Sequence, residues 1–121
     1  MSFLARLKNA IPTTYRAKWL YQQGMVRARL HSQQAAIDDY TAVVDMPDSP
    51  ASVRAMALYN WALVYSAMGR QPDAIGDLNR VLGMPQAAER VKTEARRRLV
   101  RMTRTSGRNA APRDTDSAAG S

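Results

Sequence analysis

Cysteine is absent from this 121-residue chain, and histidine occurs once. Without cysteine the chain can form no disulfide, no thiolate metal site and no catalytic thiol. The one histidine, His31, falls in a predicted turn where the sequence places no carboxylate or nucleophile, so we interpret it as a turn residue rather than a general base. Zinc-ligand spacings, calcium loops and phosphate-binding glycine loops are also missing. We therefore predict no catalytic residues, no metal site, no cofactor and no enzymatic activity.

Long apolar runs are absent too. No stretch approaches the roughly 20 apolar residues that a membrane-spanning helix needs. The N-terminal residues contain no sustained apolar segment of the kind that marks a secretory signal. We therefore expect a cytoplasmic protein, and we do not expect a membrane partner.

Acidic residues are missing from the first 37 positions, which carry six basic residues. Residues 38–89 carry seven acidic and three basic residues, and residues 90–121 carry nine basic and three acidic residues. The net charge of +8 is therefore concentrated at the two ends of the chain, around an acidic middle. Such segregation bears on partners and association rather than on the fold.

A repeated segment dominates the rest of the chain. Residues 36–47 (AIDDYTAVVDMP) and residues 74–85 (AIGDLNRVLGMP) are closely similar and lie 38 residues apart. Pro12 likewise precedes Pro50 by 38 residues, so the repeat extends over two helices. A fixed period of this size indicates stacked supersecondary units that offer an extended surface for other molecules.

Apolar residues recur every three or four positions, which is typical of helices with one buried face. In the second unit Pro50 and Pro72 suit first helical turns, and Gly69 suits the end of the helix between them. The first unit repeats this pattern, and a third copy begins after Pro85 but has no partner helix. The sequence thus predicts about five main helices, over residues 14–30, 32–45, 50–68, 72–83 and 86–104.

The same periodicity predicts which side chains are buried and which are exposed. The buried side of the first helix is expected to consist of Tyr15, Trp19, Leu20, Gln23, Val26 and Leu30. That of the last helix is expected to include Val91, Ala95, Leu99 and Val100. The acidic residues expected on solvent-exposed faces, rather than as paired carboxylates for acid–base chemistry, are Asp38, Asp39, Asp73 and Asp77.

The predicted helical domain spans residues 13–104, between two terminal segments. Residues 1–12 form an N-terminal segment. Residues 105–121 are small and polar without apolar periodicity, which predicts a disordered tail.

The N-terminal segment has an amphipathic pattern of its own. Residues 2–10 are expected to form a short helix with Phe3, Leu4 and Leu7 on one side. We expect these three residues to cover the open end of the stack rather than to contact a membrane.

At these positions the sequence resembles the tetratricopeptide repeat family, over roughly residues 13–103. The second unit carries the resemblance at Leu58, Trp61, Ala62, Tyr65, Gly69, Ala74, Leu78, Val81 and Pro85. The first unit carries it at Leu20, Gly24, Ala36, Tyr40, Val43 and Pro47. The resemblance implies an all-α fold, a right-handed stack of antiparallel helical hairpins of the α-solenoid type.

The chain departs from the family pattern in three ways. Gln23 and Arg27 stand where large apolar residues are usual. His31 stands where glycine is usual. The period of 38 residues exceeds the family's repeat of about 34.

The resemblance also implies a function. Members of the family bind peptides or helices of other proteins in a concave groove, so a non-catalytic adaptor or scaffold is implied here. The groove residues that it implies are Lys18, Tyr21, Met25, Arg29, Met56, Tyr59, Asn60, Leu63 and Arg98. Some members hold a C-terminal carboxylate with lysine, arginine and asparagine, but only Asn60 and Arg98 match that set, so this specificity is not transferred.

A second candidate surface is the basic patch on the last predicted helix. Its members are Arg96, Arg97, Arg98, Arg101 and Arg104. Residues 86–121 contain no aromatic side chain for stacking on single-stranded nucleic acid, and the end helix of a stack needs a polar outer face, so we expect a solvated helix or a contact for an acidic protein. Nucleic-acid binding through this patch stays open as an alternative.

Self-association as a structural homo-oligomer is the third possibility. Two hairpins and a single closing helix lie near the minimum of about three repeats for a stable stack. The acidic middle of one copy could then contact a basic end of another.

Overall fold

The structure is a computed structural model that describes residues 11–120, with side chains from residue 11 to residue 105. Residues 1–10, where the sequence predicts a short amphipathic helix, lie outside this range. Within it the regular structure consists of five helices and no strand. They are α1 (Thr13–Arg29), α2 (Gln33–Asp45), α3 (Ala51–Ala67), α4 (Gln71–Leu82) and α5 (Glu89–Gly120).

The first helices of the two hairpins begin in the same way. Pro12 precedes α1 and Pro50 precedes α3, and both have extended backbone, with φ near −56° and −59°. Proline suits this position because its fixed φ and missing N–H cost nothing where no helical hydrogen bond is made. The 38-residue period therefore fixes where each hairpin starts.

The first helices of the hairpins also end alike. The backbone turns through a left-handed residue, His31 (φ 61°) after α1 and Gly69 (φ 79°) after α3. In each case the next residue's N–H bonds back into the helix at 2.8 Å, from Ser32 to Arg27 and from Arg70 to Tyr65. Such reverse hydrogen bonds satisfy helix-end carbonyls that lack a partner within the helix.

The helices form a row in which each one packs on the next. Every consecutive pair is in contact, and α1 also contacts α3, as α3 contacts α5. This arrangement confirms the predicted all-α stack of helical hairpins. Two clusters of buried side chains form its core, one centred on Tyr40 and Val43 and the other on Leu78 and Val81.

Within each hairpin a small residue on the first helix faces a large one on the second. Tyr40 is fully buried, and a Cβ atom placed on Gly24 would lie 2.7 Å from the Tyr40 Cε1 atom. In the second hairpin the equivalent residues are Ala62 and Leu78, which are both fully buried in one cluster. The larger Tyr40 side chain therefore requires glycine on the facing helix, where the smaller Leu78 allows alanine.

The predicted buried side of α1 is wrong. Four of its members are exposed, namely Tyr15 (65%), Trp19 (63%), Val26 (50%) and Leu30 (70%). Leu20 and Gln23 are half-buried. The fully buried residue of α1 with a side chain is instead Ala17, which packs against the helices that follow.

The neighbouring helices explain why these side chains of α1 are exposed. The residues of α3 that correspond to Tyr15, Trp19 and Val26 are Val53, Ala57 and Val64, and all three are buried. α3 has α2 before it in the row and packs this face against it. Among the described residues no helix precedes α1, so its equivalent face has no cover.

The last helix departs from the prediction at both boundaries and at one side chain. α5 begins at Glu89 and runs to Gly120, whereas the sequence predicts a helix over residues 86–104 and a disordered tail from residue 105. Val91 and Ala95 are buried as predicted, and Leu99 is half-buried. Val100 is exposed and Met102 is buried instead. Val100 corresponds to Ala62, which packs on the second helix of its hairpin, and α5 has no such partner among the described residues.

The contact between Gly24 and Tyr40 generates a stability prediction. Gly24→Ala should lower the free energy of unfolding by about 1–3 kcal/mol, because the added methyl group overpacks against the tyrosine ring. Adding Tyr40→Leu should restore much of this loss, since the pair then matches Ala62 and Leu78. Urea unfolding followed by circular dichroism, on all four members of the double-mutant cycle, measures the coupling. Simple additivity of the two changes would contradict the proposed contact.

The backbone at His31 generates a second prediction. His31→Gly should raise the free energy of unfolding by about 1 kcal/mol, because a left-handed φ costs a side-chain-bearing residue more than glycine. Gly69→Ala, at the equivalent position, should have the opposite sign and a similar size. Thermal unfolding of the two variants beside the unmodified chain tests both, and a destabilised His31→Gly variant would show that the imidazole makes contacts worth more than the strain.

Candidate functional site

Two adjoining depressions lie along the face formed by α1, α3 and α5, and together they are called the groove. The α1–α3 depression has a volume of about 280 Å³, and the α3–α5 depression has one of about 250 Å³. The first is lined mainly by Met25, Ala28, Arg29, His31, Tyr40, Asn60, Leu63 and Ala67. The second is lined by Tyr21, Met56, Tyr59, Asn60, Arg90, Val91 and Glu94. Asn60 is common to both, so it stands at the centre of the groove.

Asn60 is held there by two hydrogen bonds. Its Nδ2 atom donates to the Tyr21 hydroxyl oxygen at 3.0 Å and to the Met56 carbonyl oxygen at 2.9 Å. Both hydrogens of the amide nitrogen are then used, and Oδ1 keeps its capacity to accept. The Tyr21 oxygen accepts from Asn60, so its own O–H is free to donate. The centre of the groove thus combines one donor with one acceptor on adjacent side chains.

The Tyr21 hydroxyl keeps its proton at neutral pH. Burial raises the pKa of Tyr21 above its ordinary value of 10.0, against the lowering effects of the Asn60 hydrogen bond and the Arg90 charge. The Tyr21 and Tyr40 rings lie 6.1 Å apart between centroids, which ties Tyr21 to the core of the first hairpin. Tyr21 is therefore a neutral donor on a well-anchored side chain.

Charged side chains stand in each depression. Arg29 belongs to the α1–α3 depression, and Arg90 and Glu94 belong to the α3–α5 depression. Glu94 accepts from Arg97 at 2.8 Å. Within residues 11–105 neither Arg29 nor Arg90 forms an ion pair, so both guanidinium groups are available to an anionic ligand.

Most of the predicted groove residues are brought together. The seven that line the two depressions are Tyr21, Met25, Arg29, Met56, Tyr59, Asn60 and Leu63. Lys18 and Arg98 line neither. Lys18 is exposed on α1, and Arg98 is half-buried on α5, at the position 38 residues after Asn60. Its Nε atom is buried without a partner in the side chains described.

Sequence reasoning missed Arg90. It precedes Glu94 by one helical turn and the predicted groove residue Arg98 by two, on the same side of α5. Residues four apart share a helix face, so this spacing could have identified Arg90 as well. Tyr40, by contrast, enters the lining from α2, and no spacing within α1 or α3 points to it.

The predicted basic patch divides into paired and unpaired groups. Arg97 binds Glu94, and Arg96 lies 3.9 Å from Glu89. Arg101 and Arg104 are exposed beside them on α5. Arg98 points to the half-buried side of the helix and so does not share this surface. Binding of nucleic acid or of an acidic partner by the patch stays a prediction, as does self-association.

The chain matches no family model, no curated protein and no solved structure. In the part of the chain that the structure describes, no group of histidine, cysteine, aspartate or glutamate side chains is arranged to hold a metal ion. Over the same residues, no helix is long and apolar enough to cross a bilayer.

Two of the acidic residues expected in solvent are buried. Asp39 faces Arg27, whose Nη1 atom lies 3.0 Å from both carboxylate oxygens. With its amide oxygen turned to the guanidinium, Gln23 accepts from Arg27 at 2.9 and 2.8 Å. Gln23, Arg27 and Asp39 thus form a polar cluster between α1 and α2. Burial raises the pKa of Asp39, and the Arg27 charge opposes that shift.

Asp77 is the equivalent of Asp39 in the second hairpin, and it lacks such a partner. Tyr65 stands in place of Arg27, and the Asp77 Oδ2 atom is buried with no hydrogen bond among the described residues. Arg80 approaches only to 3.9 Å. Burial raises the pKa of Asp77 to about 6, with Arg80 lowering it and Asp73 raising it. The buried charge of Asp77 therefore destabilises the fold at neutral pH.

The raised pKa of Asp77 predicts a pH dependence of stability. The folded state binds this proton with a pKa of about 6, against 3.8 for the ordinary carboxyl group, so the free energy of unfolding falls as the pH rises from about 4 to about 6. Asp77→Asn should remove this fall and stabilise the protein at pH 7 by about 1–3 kcal/mol, with no gain at pH 4.

Asp73→Asn provides the matched control for Asp77→Asn. It removes the same charge one turn away, from an exposed side chain whose ion pair with Arg70 should contribute less than about 1 kcal/mol. Urea unfolding at pH 4, 5, 6 and 7 compares the variants. An equal effect of Asp77→Asn at all four pH values would contradict the assignment.

Proposed function

We propose that this protein is a non-catalytic, tetratricopeptide-like interaction module that binds a peptide segment of another protein in the groove. The observation that carries the proposal is the donor and acceptor pair at the centre, the Tyr21 O–H and the Asn60 Oδ1. A residue of an extended peptide presents its N–H donor and its C=O acceptor on the same edge of the chain. A single residue of a peptide crossing the groove therefore matches both protein groups.

The surroundings of this pair favour a peptide over a smaller polar ligand. Met25 and Leu63 line the α1–α3 depression, and Met56 and Tyr59 line the α3–α5 depression. Apolar side chains of the residues that flank the bound residue would then enter the two depressions. Methionine adapts its shape readily, and tyrosine gives a large contact at low entropic cost, so both suit peptide recognition.

The charged side chains of the groove favour a negatively charged ligand. Arg29 in one depression and Arg90 in the other favour a peptide with an acidic side chain or a free carboxylate next to its apolar residues. Of the two residues that match the carboxylate-holding set of the family, Asn60 lines the groove and Arg98 does not, so that set is not proposed for this chain. An acidic peptide would also be drawn toward the positive net charge of the protein.

The absence of catalysis is part of the proposal. The lining of the α1–α3 depression includes His31 but no carboxylate, serine or threonine, so a base there would lack a group to orient it and a nucleophile to activate. A cytoplasmic location is proposed on the sequence alone.

A random 12-residue peptide library displayed on phage, selected on the full chain, tests the proposal. The selected peptides should combine apolar and acidic residues. Tyr59→Ala with Asn60→Ala should weaken their binding, measured by isothermal titration calorimetry, by at least about tenfold, or 1.4 kcal/mol. Helical content, followed by circular dichroism, should be unchanged.

Gln34→Ala with Asp38→Ala is the matched control, because both side chains are exposed on α2 and, within residues 11–105, form a side-chain hydrogen bond only with each other. It should leave peptide affinity unchanged. Selection of no peptide, or equal loss of binding in the control and groove variants, would overturn the groove assignment.

A further inference from the structure

The exposed apolar side of α1 surrounds a third depression, which is called the end depression. It has a volume of about 690 Å³, more than either depression of the groove, and lies between α1 and the end of α2. Its apolar lining consists of Ile11, Tyr15, Trp19, Leu20, Ala42 and Met46. An exposed apolar depression of this volume is typical of a place where another chain segment docks.

The repeat identifies the kind of segment that fits. The end depression has a counterpart in the second hairpin, where Leu58 and Met84 correspond to Leu20 and Met46. There the side chain of Val44, from the preceding helix α2, belongs to the lining, and the volume is only about 360 Å³. The face that α3 presents to α2 is otherwise buried. Because α1 occupies in the first hairpin the position of α3 in the second, the end depression fits an apolar side chain from a segment that precedes α1.

We propose that residues 1–10 of this chain fold back along α1 and occupy the end depression with Phe3, Leu4 and Leu7. These residues join the helical row at Ile11, which itself lines the depression, so the segment is tethered at its edge. Ten helical residues would extend about 15 Å, and the lining residues from Ile11 to Leu20 span a similar length. Phe3, Leu4 and Leu7 fall on one side of a helix, as one apolar lining requires.

The covalent tether argues against a second copy as the occupant. Charge does not separate the two, because Arg16 and Lys18 of α1 would face basic residues in either case, Arg6 and Lys8 in the segment or α1 itself in a second copy. A tethered segment has a high effective concentration, which a second copy lacks. The segment therefore closes the N-terminal end of the row, independently of what binds in the groove.

A cysteine pair tests the proposal directly, because the chain has no cysteine of its own. In the full chain, Leu4→Cys with Ala42→Cys should oxidise to an intramolecular disulfide at low micromolar protein concentration. The control is Leu4→Cys with Asn79→Cys, in which the second position is exposed on the outer side of α4. The first pair should react at least about tenfold faster than the control, because docking holds its thiols together.

Two results would overturn the proposal. Equal rates in the two pairs would mean that residues 1–10 do not dock at the end depression. Disulfide-linked dimers as the main product of the first pair would mean that the segment docks on a second copy. A non-reducing gel, read at two protein concentrations, separates these outcomes from the expected monomer.

Fluorescence of Trp19 gives a second, independent measurement. In a Trp61→Phe background, Phe3→Asp with Leu7→Asp should make Trp19 more accessible to acrylamide, because the apolar cover is lost. Ser2→Asp with Asn9→Asp adds the same charge off the apolar side and should leave quenching unchanged. Equal quenching of Trp19 in all three chains would overturn the proposal. If, in addition, Trp19 emission shifted to the blue only with vesicles containing phosphatidylserine, the segment would contact a membrane instead.

Discussion

A helix in this row buries its apolar face only when another helix lies against it. α3 has α2 before it and α4 after it, and its residues Val53, Ala57 and Ala62 are all buried. α1 and α5 each lack one neighbour among the described residues, and there apolar side chains such as Trp19 and Val100 are exposed. The exposed surfaces at the ends and the depressions between first helices thus follow from one packing constraint.

The two hairpins meet this constraint with different residues at equivalent positions. Tyr40 needs Gly24, whereas Leu78 allows Ala62. Asp39 is held by Arg27, whereas its equivalent Asp77 is buried without a close cation. The two hairpins therefore share the backbone that the period predicts, but their buried side chains differ in volume and charge. Transferring one side chain from one hairpin to the other should keep the fold stable only if its contact partner is transferred too, because the partners differ between the copies.

The period and the turn residues were enough to predict the hairpin stack and the helix boundaries of both hairpins to within one residue. Periodicity indicates that a helix has an apolar face, but not whether a neighbour covers it, which is why burial of Trp19 was predicted wrongly. The partners of Asp39 and Asn60 lie 12 and 39 residues away in sequence. Such contacts join different helices, and single-helix spacing carries no information about them.

The groove depends on the stack as directly as the core does. Asn60 belongs to α3 and Tyr21 to α1, so their donor and acceptor pair exists only when the two hairpins are packed side by side. A ligand that uses both groups binds the stacked form alone and must stabilise it by its own binding free energy. Residues 11–120 form two hairpins and a closing helix, and in so short a row this coupling links occupancy of the groove to the stability of the fold. The central residues are therefore expected to serve stability and recognition at once.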